Sequence, residues 1–154
     1  LDINLNGTYM NKFNQTSPGG ALSRKVGTLV EPDGTPVLGA DNGGVILRWK
    51  HALSVSLTQG PWTGTLVQNY SSGYRAGDRL DGEPNYIGSQ SLFDANVQYK
   101  GIKDLTLGLG VKNVFNTKPA VFTPVSNQFQ AGYDVSQYDP RGRFVYVNAI
   151  YQFK

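Results

Sequence analysis

Features that define several common protein classes are missing from this sequence. It contains no cysteine, which excludes disulfide frameworks and thiolate metal sites. It also lacks a run of about 18 apolar residues, which excludes a transmembrane helix. Charged residues make up only 16% of the chain, and the net charge of +3 is spread without a basic block, so we expect no nucleic-acid partner.

The residues that are abundant favour β-structure. The 19 glycines and nine tyrosines are accompanied by many Asn, Gln, Ser and Thr residues, a composition typical of neither a disordered nor a helical chain. Alternation with a period of two residues predicts six strands, each with one apolar and one polar face. The predicted strands are Leu1 to Phe13, Val45 to Thr58, Trp62 to Tyr74, Ser91 to Lys100, Leu105 to Phe115 and Arg143 to Phe153.

Charged side chains stay off the apolar faces of these strands. In the second segment the apolar stripe runs from Leu47 through His51 to Leu57, and Arg48 and Lys50 lie on the opposite side. The polar faces carry too many unpaired groups for a dry protein core, so we expect them to line a wet or plugged lumen. His51, the single histidine, belongs to the apolar stripe, so we expect a structural role for it and no enzymatic activity.

The links between the predicted strands alternate strictly between short and long. Gln59-Gly60-Pro61 and Gly101-Ile102-Lys103-Asp104 are the short links, whereas 14–44, 75–90 and 116–142 are long. An outer-membrane barrel has short periplasmic turns and long external loops, and a soluble meander has no reason to segregate its loops in this way. The pattern therefore predicts an outer-membrane location with extracellular long loops and a periplasmic C-terminus.

Aromatic residues fall near both ends of the predicted strands, as expected for the two interfaces of a membrane. Near the short links lie Trp62, Tyr99, Tyr151 and Phe153, and near the long links lie Tyr9, Trp49, Tyr70 and Phe115. Six strands are too few to close a barrel, since the smallest single-chain barrels have about eight. We therefore expect the chain to be a fragment or to pair with another chain.

Two stretches near the C-terminus carry a resemblance to a known family. Gly110-Val111-Lys112-Asn113-Val114-Phe115-Asn116-Thr117-Lys118-Pro119 is followed, after a long link, by Tyr138-Asp139-Pro140-Arg141-Gly142-Arg143 and a strand that ends at Phe153. Together they resemble the C-terminal end of TonB-dependent outer-membrane receptors. Three further stretches resemble late barrel strands of the same family: Trp49-Lys50-His51, Gly60-Pro61-Trp62 and Tyr70-Ser71-Ser72-Gly73-Tyr74. The resemblance therefore covers essentially the whole chain.

The resemblance implies an all-β fold in which residues 1–154 form about six meander strands of a larger antiparallel transmembrane β-barrel. The complete barrel would have about 22 strands, and the plug domain and the earlier strands are not part of this chain. We expect Asn113, Asp139, Arg141 and Gly142 to be fold residues that end or turn strands. Lys154 departs from the family pattern, which usually ends on the aromatic residue itself.

The same resemblance implies a function. It predicts a receptor that takes up a bulky, scarce nutrient, most readily a ferric siderophore, with energy from TonB acting through the plug. Expected partners are the rest of the receptor, outer-membrane lipid and lipopolysaccharide, and the barrel-assembly machinery, which would read the last strand. No cofactor is expected. A passive porin or a structural or adhesive barrel is the alternative, and a membrane-embedded hydrolase is a third class.

Ligand contacts are expected in the external loops and the upper lumen, because loops on a rigid scaffold carry recognition. Aromatic rings and guanidinium groups suit catecholate-like or anionic metal chelates. The candidates are Tyr74, Arg75, Arg79, Tyr86, Phe129 and Tyr133. For any one of them, loop packing or contact with lipopolysaccharide is the competing interpretation. The acidic cluster of Asp78, Asp81 and Glu83 is interpreted as a solvated loop rather than a calcium site, and no metal site is predicted.

Overall fold

The structure is a computed structural model, and it describes residues 1–16, 18–20, 22–35, 37, 45–78, 82–121 and 132–153. Over these residues the chain is all-β and contains no helix. The strands are β1 (Asp2–Tyr9), β2 (Asn14–Thr16), β3 (Leu22–Arg24), β4 (Trp49–Gln59), β5 (Trp62–Ser71), β6 (Tyr74–Asp78), β7 (Pro84–Ile87), β8 (Gln90–Ile102), β9 (Leu105–Lys112) and β10 (Phe144–Tyr151).

The dominant element is a six-stranded antiparallel sheet with the order β1-β4-β5-β8-β9-β10. Each of the six strands predicted from the sequence corresponds to one strand of this sheet, in chain order. Both short links are tight turns. Gly60 has a φ of 58° between β4 and β5, and Asp104 has a φ of 59° between β8 and β9, a region of backbone space that glycine and Asp tolerate best. In the described part of the chain the sheet is open, with β1 and β10 at its edges.

The register aligns the predicted apolar stripes of the six strands on one face, which confirms the predicted parity, although the polar Gln68 lies on that face between Leu53 and Phe93. One row on the apolar face consists of Ile3, Val55, Leu66, Ala95, Val111 and Val145. The neighbouring row on the polar face consists of Asp2, Ser56, Thr65, Asn96, Gly110 and Tyr146. A register slip of one residue would move every side chain to the other face, so this alignment is strongly specified.

Two of the long links contain small hairpins that the sequence pattern did not reveal. The first link holds the pair β2–β3, and the second holds β6–β7. Segment 25–29 is bridged in parallel to Ile46 on one side and to Arg75 on the other. A Cβ at Gly73 would lie 2.3 Å from the carbonyl oxygen of Ile87, so glycine permits the close approach between the start of β6 and the end of β7.

The buried core lies in this layer of loops rather than against the sheet. Its members are Leu29, Val45, Leu47, Tyr74, Ile87 and Tyr138, with Ala76, Ala120 and Tyr133 packed around them. The segments that supply these residues lie at the end of the sheet where the long links are, and we call them the loop layer. Of the residues in the six strands of the large sheet, Gly108 and Gly110 are the buried ones, and both lack a side chain.

The predicted start of the second strand at Val45 is wrong. The strand β4 begins at Trp49, and Val45 and Leu47 are 6% and 8% exposed in the core of the loop layer. The physical reason is pairing, since the backbone of Ile46 bonds to Lys25 and Gly27 instead of extending the sheet. Leu47 therefore does not belong to the apolar stripe of the sheet.

Two predicted strand ends also differ from the structure. The third strand was predicted to end at Tyr74 and the first at Phe13. The strand β5 stops at Ser71, and Tyr74 opens β6 after the break at Gly73. The strand β1 ends at Tyr9. In both cases an alternating pattern continues in the sequence, but the backbone leaves the sheet to build the loop layer.

Candidate functional site

The loop layer has two sides, a buried core and an open groove, and adjacent residues of one strand face opposite sides. Tyr74 enters the core and is 3% exposed, whereas its neighbour Arg75 lines an open groove on the other side. The bridged segment beside it divides in the same way. Leu29 is buried in the core, while Thr28 and Val30 line the groove. Alternation along an extended backbone produces this division.

The core side of the loop layer is fixed by a buried polar network. The hydroxyl of Tyr74 donates a 2.6 Å hydrogen bond to Oδ2 of Asp134, a residue 60 positions away and 2% exposed. Oδ1 of Asp134 accepts from the backbone N–H of Ser136 at 2.9 Å and from its hydroxyl at 2.6 Å. Burial, and then the hydrogen bond to Asp134, raise the pKa of Tyr74 far above its ordinary value. Burial also raises the pKa of Tyr138, with a further contribution from the charge of Asp134.

The groove side of the loop layer brings together several positively charged side chains. This groove has a volume of about 660 Å³ and is lined by four cationic side chains, Lys12, Arg24, Arg48 and Arg75, and one carboxylate, Glu31. Its remaining wall includes the apolar residues Phe13, Leu22, Val26, Val30 and Pro32. We call this site the cationic groove.

The chain segments that build the cationic groove are held by backbone bonds. The N–H of Leu29 donates to the carbonyl of Arg75 at 2.8 Å, and the N–H of Arg75 donates to the carbonyl of Gly27 at 3.0 Å. Across the groove, the N–H of Arg24 donates to Oε1 of Glu31 at 3.2 Å, which leaves this carboxylate anchored by an amide. The N–H of Met10 donates to the carbonyl of Arg48 at 2.9 Å, which continues the pairing of β1 with β4 into the groove.

The predicted ligand residues are separated by this arrangement. Arg75 lies in the cationic groove, and Tyr86, paired with it across the β6–β7 hairpin, is 70% exposed. Tyr74 is a core residue and Tyr133 packs half-buried at the edge of the same core, so packing accounts for both positions. Arg79 and Phe129 lie outside the described residues. Whether any of these residues contacts a ligand stays a prediction.

Three groove cations, Lys12, Arg24 and Arg48, were not among the predicted ligand residues. The alternation of the second predicted strand did place Arg48 on the polar side, but it did not indicate a groove there. Lys12 lies just before the first long link and Arg24 lies within it, and no sequence pattern there indicated the β2–β3 hairpin that brings them together. Their convergence depends on tertiary contacts that no local pattern encodes.

The residues predicted to serve the fold make local contacts that suit this role. Asn113, with a φ of 50° and 7% exposed, uses its amide to accept from the N–H of Thr117 at 2.8 Å and to donate to the carbonyl of Thr117 at 2.9 Å. Its own N–H donates to Oδ1 of Asp94 at 2.8 Å as β9 ends. Gly142 has a φ of 67°, and a Cβ there would lie 2.7 Å from Oδ1 of Asn116.

Asp139 and Arg141 form a local ion pair within the turn before β10. The backbone N–H of Arg141 and its Nε each donate to Oδ1 of Asp139 at 3.0 Å, and Nη2 donates to Oδ2. The side-chain bonds, followed by the backbone bond, lower the pKa of Asp139 to about 2. Both side chains are largely exposed, so the pair shapes the turn rather than stabilising the fold strongly.

The aromatic residues of the apolar face form contacts at both of its ends. At the loop end, Nε1 of Trp49 donates a 2.8 Å hydrogen bond to Nδ1 of His51, and the His51 ring stacks on Tyr70 with centroids 5.0 Å apart. At the turn end, the centroids of Trp62 and Tyr99 are 4.5 Å apart. His51 is thus engaged by aromatic neighbours, consistent with the structural role expected for it.

Comparisons with known proteins leave the family open, because the chain matches no protein-family model and no curated protein sequence. Within the described ranges there is no helix long and apolar enough to cross a membrane. The same residues contain no group of three or more His, Cys, Asp or Glu side chains placed to hold a metal ion. Of the acidic cluster in the second long link, Asp81 and the side chain of Asp78 lie outside the described part of the chain.

Proposed function

We propose that this chain forms the last six strands of the transmembrane β-barrel of a TonB-dependent outer-membrane receptor, which takes up a bulky nutrient such as a ferric siderophore. The observation that carries the proposal is that none of the described residues on the apolar face of the large sheet is buried, and many are exposed. Ile3 is 63% exposed, Leu109 is 52% exposed and Val147 is 78% exposed, although the chain does bury a core elsewhere. A soluble domain would be expected to pack its core against this face, and lipid would cover it in a barrel.

The dimensions of the apolar face support a membrane role. On β5, the turn-end ring Trp62 and the loop-end ring Tyr70 are eight residues apart, roughly 26 Å along a strand. With a strand tilt of about 40°, this spacing gives a band of about 20 Å between the two aromatic groups, close to the roughly 25 Å band of outer-membrane barrels. Aromatic rings at the two ends of such a band are typical of both lipid–water interfaces.

The open edges of the sheet support membership of a larger barrel. Both β1 and β10 have one neighbour in the described sheet, so each offers unpaired backbone groups along its other side. In lipid these groups would need partner strands, because no water is available to satisfy them. The partners would be the earlier strands of the same receptor, and its plug would fill the lumen and carry the contact with TonB.

The arrangement of the loops supports a receptor in particular. The described segments of the long links pack into a layer at one end of the sheet, and Nζ of Lys50 on the polar face donates to Oε1 of Gln137 in this layer at 3.3 Å. A loop layer that reaches the polar face would stand at the mouth of a lumen. In this arrangement, the exposed Tyr86 and the groove residue Arg75 would be accessible to an external ligand.

The test is uptake of radiolabelled iron by cells in which the full-length protein is the sole candidate receptor. We expect accumulation against a gradient that requires both the proton-motive force and TonB. Uptake that is unaffected by deletion of TonB would favour the alternative, a passive porin-like barrel, and no uptake of any iron chelate, with normal membrane insertion, would favour a structural or adhesive barrel. A sharp, detergent-free monomer peak in sedimentation would contradict the membrane assignment itself.

A further inference from the structure

We propose that the cationic groove binds a small polyanion that also carries an apolar part. Its acidic oxygens would lie on the arginine and lysine side chains, and its aromatic rings would lie on the apolar wall. This inference rests on the proposed function, since it names the class of ligand that the receptor would take. It adds that a neutral or cationic chelate would bind more weakly than an anionic one of the same size.

The balance of charge in the groove is the first reason. Lys12, Arg24, Arg48 and Arg75 come from four separate parts of the chain and face one cavity whose only carboxylate among the described lining residues is Glu31. Like charges gathered in a cleft repel one another and raise the local concentration of anions. Three of the four cations are arginines, whose planar donors match carboxylate, catecholate and phosphate oxygens in pairs.

The apolar wall is the second reason, because it distinguishes this groove from a site for simple inorganic anions. Leu22 is 50% exposed and Phe13 is 43% exposed, and both line the same cavity as the cations. A hydrated ion such as phosphate would leave these side chains in water. A ligand with aromatic rings would cover them and could also stack on the arginine planes.

The size of the groove is the third reason, because it favours a small molecule over a macromolecule. Its volume of about 660 Å³ lies within the range of about 300 to 1,000 Å³ that is typical of small-ligand pockets. Backbone pairing also holds the groove together, since the Thr28–Arg75 bridge joins the two segments that supply Arg24 and Arg75. Little loop ordering would then oppose binding.

Lys25 provides a matched control for the charge in the groove. It is adjacent to Arg24, but it does not line the groove, and its Nζ donates a 2.8 Å hydrogen bond to Oε1 of Gln15. The variants Arg24→Gln and Lys25→Gln therefore remove the same charge from neighbouring positions. If the general positive potential of the loop layer attracts anions, both variants will weaken binding equally.

The experiment is equilibrium dialysis of radiolabelled iron complexes against the full-length protein in an uncharged detergent. Two probes are matched in size, the trianionic iron(III) complex of a hexadentate tris-catecholate and the neutral iron(III) complex of a hexadentate trihydroxamate. A third arm uses diphosphoryl lipid A in mixed micelles. We expect the trianionic complex to bind at least tenfold more tightly than the neutral one, and Arg24→Gln and Arg48→Gln each to weaken it about tenfold, as one charge-assisted hydrogen bond would. Lys25→Gln should change its affinity less than twofold.

Four results would overturn the inference. They are equal affinity for the two iron complexes, equal losses in Arg24→Gln and Lys25→Gln, failure of the wild-type protein to bind either complex, and groove-dependent binding of lipid A alone. The last result would make the groove a lipid-headgroup site. TonB-dependent uptake is measured separately in cells with a range of iron chelates, so failure of this inference can be distinguished from failure of the proposed function.

Discussion

The Tyr74 hydroxyl and the Asp134 carboxylate meet in the buried part of the loop layer, 60 positions apart in the chain and 2.6 Å apart in space. This hydrogen bond joins the first strand of the β6–β7 hairpin to the last long link. Because both groups are almost completely shielded from water, either one would be left without its partner if the other were removed. The contact is therefore a sensitive probe of how the loop layer is held together.

We expect Tyr74→Phe to destabilise the loop layer by about 1 to 3 kcal/mol, because Asp134 loses a buried hydrogen-bond donor. Tyr86→Phe removes the same hydroxyl from a side chain that is 70% exposed, and this control should have no measurable effect. The readout is the rate of limited proteolysis within the loops of the protein in detergent. Equal rates in both variants would show that the bond to Asp134 contributes nothing.

Alkaline pH should loosen the same layer. The pKa values of Tyr74 and Tyr138 are raised in the folded protein, so the unfolded chain loses these protons first as the pH rises. Their contribution to stability is therefore complete below about pH 10, the ordinary tyrosine pKa, and declines above it. Proteolysis between pH 8 and pH 11 should accelerate above pH 10 in the wild type, and less steeply in Tyr74→Phe.

A pair of neighbouring residues on β8 tests the assignment of the two faces. Val97 lies on the apolar face and Gln98 on the polar face, in adjacent rows of the sheet. In a membrane, Val97→Arg should cost about 2 to 4 kcal/mol, and Gln98→Arg should be tolerated in the lumen. The measurement is the amount of folded, heat-resistant protein in purified outer membranes. If Gln98→Arg is the more damaging change, the proposed faces are reversed.

Removal of the Asn113 amide should open the top of β9. Asn113→Ala loses two hydrogen bonds to the Thr117 backbone. It also places alanine, which lacks the polar side chain that helps Asn tolerate a positive φ, at a φ of 50°. We expect a loss of about 2 kcal/mol in the free energy of unfolding, from these bonds and the backbone strain. Asn96→Ala, which loses one longer bond of 3.3 Å to Leu109, is the control. Urea titration in detergent gives both values.

Two glycines on the large sheet differ in the space around them and provide a further test. A Cβ at Gly110 would lie 2.2 Å from the Tyr146 ring, whereas a Cβ at Gly64 would meet nothing within 4 Å. Gly110→Ala should therefore displace Tyr146 and cost about 1 to 3 kcal/mol, and Gly64→Ala should be nearly neutral. The additional change Tyr146→Ala should remove most of the difference, which a double-mutant cycle of urea titrations would measure.

The sheet could be predicted from the sequence because its information is local. Alternation over eight or more residues fixes both the strand and its face, and the register of β5 with β8, from Trp62↔Tyr99 to Ser71↔Gln90, follows once the apolar faces must align. Asn113 was predicted as a strand-ending residue, since its side chain bonds only a few positions away. These features need no knowledge of distant parts of the chain.

The loop layer could not be predicted, because its contacts join distant segments. Nothing near Leu47 in the sequence shows that it leaves the apolar stripe for a core shared with Leu29 and Tyr138. The cationic groove depends in turn on this core, since Arg24, Arg48 and Arg75 converge only after their segments have been brought together. Arg75 was predicted by its residue type and loop location, whereas the others required the tertiary structure.

The two-sided loop layer has a consequence for how such a protein could change its ligand. Residues that hold the layer together, such as Leu29 and Tyr74, alternate with residues that face the groove, such as Thr28 and Arg75. Substitutions at the groove positions can alter charge and shape while the shared core persists. If the cationic groove binds the proposed ligand, folding and ligand choice are encoded at alternating positions of the same short segments, so substitutions could change ligand choice without disturbing the core.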